Sequence, residues 1–149
     1  MIDYINDLEE TEPLPKLLMG MLEAKSDWST TSKLIRDGLP SSLFNDLSTL
    51  MGLAPSKLAR LIGVKPSARR RWLKKGVLNL KESDYFFQST IVLYAALGLF
   101  EGDKLATQEW LKRPALALGQ KPPAELLSTF VGMKLVETFI WKIENGVAA

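Results

Sequence analysis

One long apolar run constrains the fold more than any other stretch of the sequence. From residue 91 to residue 100 only Gly98 interrupts a series of hydrophobic side chains, and acidic residues flank the wider segment. A helix that is apolar on every side is either buried or inserted in a membrane, and insertion requires about 20 apolar residues. Because this run is shorter, the sequence predicts a buried central helix. Its start is expected to be capped by Ser83 or Asp84. Its end is expected at Gly98 or Gly102.

Short helical segments, separated by glycine and proline, make up the rest of the chain. No segment has the alternating pattern of a β-strand, so the predicted fold class is all-α. The 149 residues, of which 46% are hydrophobic, suffice for one domain or two small ones. The other expected helices are residues 17–24, 33–37, 43–51, 56–62, 66–74, 104–111, 124–130 and 133–145.

The composition argues against several kinds of function. The sequence contains no cysteine and no histidine, which excludes a disulfide framework, thiolate chemistry and any Ser-His-Asp or Cys-His site. No paired acid and base and no phosphate-binding glycine loop is evident, so an enzyme is not expected and no cofactor is predicted. The first residues lack the basic region of a secretory signal, and a cytoplasmic protein without membrane partners is expected.

Positive charge is concentrated in one short segment. Residues 57–75 contain eight basic side chains and no acidic one, although the net charge of the whole chain is only +2. Residues 1–15 contain five acidic side chains and no basic one. Such a concentration of positive charge indicates a polyanionic partner.

The basic segment has the spacing of a helix-turn-helix. Ala59 lets two helices approach, Gly63 permits a left-handed turn, and the helix 66–74 follows. On that helix Ala68, Trp72 and Leu73 are expected to face the core. The predicted DNA contacts are Lys57, Arg60, Lys65, Ser67, Arg69, Arg70, Arg71 and Lys74. The alternative is a solvated basic face, and Arg69 lies where such motifs usually carry an apolar residue.

The last predicted helix carries an apolar stripe and one aromatic residue opposite it. The stripe contains Leu135, Val136, Phe139, Ile140 and Ile143. Helical geometry places Trp141 on the polar face. Either it packs against another part of the chain, or it anchors a partner.

Several short motifs together resemble one protein family, the Xre/MbcA/ParS antitoxins. Residues 35–40 read IRDGLP and resemble its I-R-x-G-L-P, and residues 71–84 (RWLKKGVLNLKESD) resemble its R-x-L-x-x-G-x-L-x-x-x-E-S-D. Residues 110–114 (WLKRP) and 117–122 (ALGQKP) resemble W-L-x-x-P and A-L-G-G-x-x-P, with Gln120 replacing a glycine. Residues 126–129, Gly132 and residues 143–147 complete the pattern, with Asn145 where the family often has an aromatic residue. The resemblance covers about residues 33–149.

The resemblance implies the antitoxin of a two-gene toxin–antitoxin system. Its partner is expected to be a RES-domain toxin that consumes NAD, whose active-site cleft the C-terminal module occludes, and the N-terminal half is expected to bind operator DNA. The implied domains are an arm and short helix (1–32), a helix-turn-helix region (33–82) and a toxin-binding module (83–149). Because the stripe is expected to be needed for folding, the outward residues and the tail are the predicted toxin contacts. These are Trp141, Lys142, Glu144, Asn145, Gly146, Val147, Ala148 and Ala149.

Two other hypotheses remain. The chain could be a stand-alone DNA-binding regulator whose C-terminal module only dimerises, or an enzyme with an acid and base pair that the sequence does not reveal. The central helix carries more apolar surface than one small domain usually covers, which predicts a homodimer.

Overall fold

The computed structural model describes residues 16–23 and 27–147, and the regular elements of this part of the chain are all helices. The predicted all-α fold is confirmed. The acidic segment 1–15 and the tail residues Ala148 and Ala149 lie outside the described residues. The α-helices are α1 Lys16–Glu23, α2 Trp28–Asp37, α3 Ser42–Met51, α4 Pro55–Leu61, α5 Pro66–Lys75, α6 Leu80–Leu99, α7 Lys104–Lys112 and α8 Phe130–Glu144. Two 3-10 helices, η1 Leu116–Leu118 and η2 Pro123–Ser128, connect α7 to α8.

Helix α6 runs through the centre of the molecule, as the apolar run predicts. It contacts α1, α2, α3, α7 and α8. Its buried side chains include Phe86, Leu93 and Ala96. The expectation that it is buried on every side is wrong for one face, where Tyr94 is 40% exposed and Gly98 is exposed.

The start of α6 corrects the predicted cap. Asn79, and not Ser83 or Asp84, is the capping residue: its side chain accepts a hydrogen bond from the Glu82 backbone N–H at 2.8 Å. The Glu82 carboxylate in return accepts from the Asn79 backbone N–H at 3.0 Å. This reciprocal pair is a capping box, which satisfies two backbone donors that the helix itself leaves unpaired. Ser83 is instead fully buried, and its hydroxyl accepts from the Leu39 backbone N–H.

One hydrophobic core joins the helix-turn-helix region to the C-terminal helices. It contains buried side chains from every described α-helix except α2, among them Leu47 of α3, Trp72 of α5 and Ile140 of α8, and the partly buried Leu34 and Ile35 of α2 pack against it. The Phe44 ring lies 5.7 Å from the Trp72 ring and 6.4 Å from that of Phe86, which ties α3, α5 and α6 together. The two halves are therefore not separate packing units.

Backbone hydrogen bonds hold the segment around residues 38–41 against residues 76–78, which follow α5. Leu78 N–H donates to the Leu39 carbonyl at 2.9 Å, and Ser41 N–H donates to the Gly76 carbonyl at 3.0 Å. Gly38 has a φ of +91°, and a Cβ there would lie 2.8 Å from the Leu78 carbonyl oxygen. Glycine is required at this position by both its conformation and its close contact.

Helix α8 begins earlier than the sequence predicts and packs very closely at its start. Thr129 caps it by accepting from the Gly132 backbone N–H at 2.9 Å. A Cβ on Gly132 would lie 1.8 Å from the Leu126 carbonyl oxygen. The glycine therefore allows α8 to pack against η2 at backbone contact distance. Farther along, Phe139 stacks on Trp110 of α7 with ring centroids 5.8 Å apart.

Candidate functional site

Helices α4 and α5 form the predicted helix-turn-helix. Gly63 has a φ of +71°, and the Val64 N–H donates to the Ala59 carbonyl at 2.7 Å, which closes the turn. Pro66 is the first residue of α5, where a missing N–H removes no helical hydrogen bond. Trp72 is buried against the core and fixes the inner face of α5.

The outer face of α5 is cationic but not uniform. Arg70 and Lys74 are exposed and have no ion-pair partner among the described residues. Lys65 and Ser67 are exposed near the helix start. Leu73 corrects the sequence prediction: it was expected in the core with Trp72, yet 78% of its surface is exposed. The face that α5 presents is thus a mixture of cations and one large apolar side chain.

Two of the predicted DNA-contact residues are engaged within the chain. The Arg71 guanidinium forms an ion pair with the Glu82 carboxylate of the α6 capping box. The Arg69 guanidinium lies over the Phe44 ring, 5.4 Å from its centroid, which is a cation–π contact. Arg69 therefore covers an aromatic ring at the position where an apolar residue is usual.

Lys57 and Arg60 line a different part of the surface. They border a groove of about 370 Å³ between α4 and α7, together with Lys112 and with Leu53, Leu61, Gln108 and Leu111. The Gln108 side-chain amide donates to the Met51 carbonyl at 2.9 Å, which fixes α7 against the end of α3. The basic segment of the sequence therefore contributes to two places, the outer face of α5 and the α4–α7 groove.

The outward face of α8 is more apolar than the sequence predicts. Trp141 is 57% exposed, as helical geometry indicates. The expectation that the whole apolar stripe is needed for the fold is wrong, because the Leu135 side chain is 51% and the Ile143 side chain 42% exposed. Only Val136 and Ile140 of the predicted stripe are buried, while Phe139 is half-buried.

The end of α8 is ordered by local hydrogen bonds. The Asn145 side-chain amide donates to the Trp141 carbonyl at 2.8 Å, and the Val147 N–H donates to the Lys142 carbonyl at 2.9 Å. Gly146 has a φ of +66°, which this turn requires. Lys142 is half-buried, and Glu144 is exposed. Those predicted toxin contacts that the structure describes thus lie together at the C-terminal end of α8.

Sequence reasoning missed two exposed residues at the start of α8. Phe130 is 49% and Val131 is 72% exposed. Val131 lies one helical turn before Leu135 on the same face of α8. The sequence signal was present, because Thr129 precedes both residues and has the N-cap preference that sets the helix start. We call Val131, Leu135 and Trp141 the α8 outer face.

Sequence reasoning also missed Tyr85, which joins the two halves. Its hydroxyl donates toward the Ile62 carbonyl in the helix-turn-helix turn and also contacts the Leu127 carbonyl in η2. Its ring meets the Phe130 ring edge-on at 5.7 Å. Burial raises the pKa of the Tyr85 hydroxyl.

Within residues 16–23 and 27–147, no group of three or more acidic side chains is placed to hold a metal ion. No helix in that part of the chain is long and apolar enough to cross a membrane.

Comparisons with known proteins find two family models in the chain. Residues 31–84 match the antitoxin Xre-like helix-turn-helix domain, and residues 95–146 match the antitoxin Xre/MbcA/ParS C-terminal toxin-binding domain. A protein named Antitoxin Xre from Photorhabdus laumondii is 29% identical over 117 residues, which cover 78% of this chain and 79% of that protein. An Antitoxin Xre from Yersinia enterocolitica is 28% identical over 114 residues, which cover 76% and 77%. The α5 outer face and the α8 outer face lie in the first and the second matched domain, respectively.

Proposed function

Because the chain belongs to the Xre/MbcA/ParS family of antitoxins, we propose that it inhibits a RES-domain, NAD-consuming toxin and represses its own operon. Its two domains make it the antitoxin of a toxin–antitoxin system. The toxin's identity, the occlusion of its cleft and the autoregulation are the proposed parts. The chain acts by binding and not by catalysis in this proposal.

The α8 outer face is the observation that carries the toxin-binding proposal. Helix α8 exposes several large apolar side chains, among them Val131, Leu135 and Trp141, inside the segment that matches a toxin-binding domain. At 100° per residue these three spread over about 120° of the helix surface, among charged residues. Exposed apolar side chains among charged residues are typical of a protein–protein interface, and tryptophan is enriched among its strongest contacts. Lys142, Glu144 and Asn145 lie at the end of α8, where they would meet polar groups of a nucleotide cleft. Gly146, Val147, Ala148 and Ala149 follow, and their small, uncharged side chains would fit a narrow cleft.

Residues of α5 carry the DNA-binding proposal. Arg70 and Lys74 have no ion-pair partner among the described residues, and Lys65 and Ser67 are exposed near the same helix. Exposed cations on the second helix of such a motif are placed to contact the major groove. We assign Lys57 and Arg60 to phosphate contacts, and Arg69 and Arg71 to the inner edge of the interface.

A homodimer is part of the proposal. The exposed side of α6, with Tyr94 and Gly98, is the surface that a second copy would cover. A monomer in light scattering at micromolar concentration, with no toxin present, would contradict it. The same surface would serve the alternative function, a stand-alone regulator that only dimerises, equally well.

A rescue experiment separates the two functions. The toxin encoded by the adjacent reading frame is expressed alone, with the intact chain, or with a chain that lacks residues 146–149. The proposal predicts rescue by the intact chain and poor rescue by the shortened one, with unchanged helical circular dichroism. Full rescue by the shortened chain would contradict a role for the tail. Failure of the intact chain to co-purify with the toxin would favour the stand-alone regulator.

A further inference from the structure

The groove between α4 and α7 has a composition that suits an acidic, partly apolar peptide. Its floor is formed by Leu53, Leu61 and Leu111, of which the first two are half-buried and the third is buried. Its rim carries the exposed cations Lys57, Arg60 and Lys112, and none of the described residues that line it is acidic. None of the three cations has a carboxylate within ion-pair distance in the described part of the chain.

Phosphate contact alone does not account for this composition. Phosphate oxygens need donors and positive charge, whereas three leucines gain nothing from a phosphate. An apolar floor with a cationic rim is instead complementary to a peptide that alternates apolar and acidic side chains. Two neighbouring grooves lack this complementarity, because Glu82 and Asp84 line the one beside α5 and Asp84 and Glu137 line another beside α8.

The chain itself contains a segment of the required chemistry. Residues 1–15 read MIDYINDLEETEPLP, with no basic side chain. Ile2, Ile5 and Leu8 recur at three-residue steps, and acidic residues stand between and after them. The five acidic positions are Asp3, Asp7, Glu9, Glu10 and Glu12. We propose that this acidic N-terminal arm docks in the α4–α7 groove of the same chain.

The connectivity allows the arm to reach the groove. The arm ends where α1 begins, and α1 packs on α3. Helix α3 contacts both α4 and α7, the two helices that form the groove. A 15-residue segment spans up to about 50 Å when extended and about 22 Å as a helix. A domain of this size has a radius of gyration of only about 15 Å, so the arm is long enough to cross the width of α3 and reach the groove.

Docking has a consequence for the cations of the groove. Lys57 and Arg60 would be neutralised by the carboxylates of the arm, so another anion at those side chains would have to displace it. The attraction would weaken as salt is added, because the groove cations are exposed and screened by solvent ions. The apolar contacts would persist, so the arm would loosen without losing its preference for the groove.

A spin label on the arm tests the proposal directly. The chain has no cysteine, so Thr11→Cys creates one labelling site that is neither acidic nor apolar. In NMR spectra of the full-length chain, a nitroxide at this position is expected to reduce the amide signals of residues 57–61 and 108–112 more than those of residues 70–74. In about 1 M salt, where the Debye length is about 3 Å, the difference is expected to shrink. Signal loss spread evenly over the molecule, or centred on residues 70–74, would overturn the proposal.

Matched charge variants show whether the groove is responsible. Lys57→Glu with Arg60→Glu, and separately Lys112→Glu, are expected to restore the reduced signals. Lys33→Glu with Lys121→Glu makes the same charge change at exposed sites outside the groove and is expected to leave them reduced. Equal restoration by both pairs would overturn the proposal. Loss of the signals of residues 57–61 and 108–112 in a mixture of spin-labelled chain with unlabelled, isotope-enriched chain, as strong as within one chain, would also overturn it. No DNA or toxin is present, so this result is independent of the proposed function.

Discussion

The hydroxyl oxygen of Tyr85 lies 2.7 Å from the carbonyl oxygen of Ile62. Ile62 belongs to the turn of the helix-turn-helix, and Tyr85 belongs to the first half of α6. The same hydroxyl also contacts the Leu127 carbonyl in η2. Because a phenol has one proton to donate, the turn of the helix-turn-helix and the segment before α8 share a single donor.

Tyr85→Phe is expected to destabilise the chain without changing its fold. Removing the hydroxyl leaves partly buried carbonyl oxygens without their donor, which costs about 1–3 kcal/mol in the free energy of unfolding. Urea denaturation at pH 7 measures the change, and circular dichroism checks the helix content. Tyr94→Phe is the matched control, because Tyr94 is exposed and makes no hydrogen bond to a described residue. Equal stability of the two variants would contradict a shared donor.

The pH dependence of stability follows from the same residue. Burial raises the pKa of Tyr85 in the folded chain above its value in the unfolded chain, which is about 10. The contribution to stability is therefore complete below pH 10 and is lost as the pH rises through the folded-state pKa. The unfolding free energy of the native chain is expected to fall more steeply above pH 10 than that of Tyr85→Phe. Parallel curves for the two proteins would contradict the assignment.

Alanine substitution of Gly132 tests the packing of α8, and alanine substitution of Gly20 in α1 is its matched control. Gly132→Ala places a Cβ 1.8 Å from the Leu126 carbonyl oxygen, so the start of α8 must move away from η2. A loss of at least about 1–3 kcal/mol in unfolding free energy is expected from this overpacking. Gly20→Ala meets nothing within 4 Å inside α1, and it is expected to stabilise by up to about 1 kcal/mol. Thermal denaturation of both variants checks the opposite signs.

The sequence predicts best where one residue decides the local structure. Gly38, Gly52 and Gly76 end helices where the pattern places those ends, and Pro66 opens α5. The Asn79–Glu82 capping box was also readable, since an Asn followed three residues later by Glu is its sequence signature. Ser83 and Asp84 lie nearer the apolar run, but the helix already begins at Leu80.

What the sequence does not predict depends on contacts between distant segments. Leu73 lies beside buried Trp72, yet no helix within residues 16–23 and 27–147 covers it, so periodicity alone places it wrongly. Arg71 and Glu82 are eleven residues apart, and their pairing follows from how α5 leaves the turn toward α6. Leu135 is exposed because α8 packs against η2 and α6 through its other sides. Which face of a helix is covered is a property of the packed molecule.

Arg70 and Arg71 are neighbours, but among the described residues only Arg71 has an ion-pair partner. DNA binding tests this difference. Arg70→Ala is expected to weaken binding to the operon's promoter by about 1–3 kcal/mol and to relax sequence preference. Arg71→Ala is expected to weaken it less, because the Arg71 guanidinium is already paired with Glu82. Fluorescence anisotropy over a range of salt concentrations measures both, and Lys33→Ala controls for the loss of one charge. A larger effect of Arg71→Ala would contradict the assignment, as would salt-insensitive binding of the native chain.

Trp141 tests the toxin-binding surface. Trp141→Ala is expected to weaken binding of the toxin by about 1–3 kcal/mol, since a large exposed aromatic ring at the centre of an interface is often a strong contact. Leu105→Ala is the control, because Leu105 is 71% exposed on α7, outside the α8 outer face. Calorimetric titration of toxin with each variant measures the difference. Equal weakening by the two substitutions would place the interface elsewhere.

The most direct test of the central claim is NAD consumption by the purified toxin, measured while the antitoxin is titrated in. The native chain is expected to abolish consumption at a fixed molar ratio. The Trp141→Ala variant is expected to require a concentration higher by about 5–150-fold, the equivalent of about 1–3 kcal/mol. A toxin that binds the native chain yet consumes NAD at its full rate would contradict occlusion of the active site.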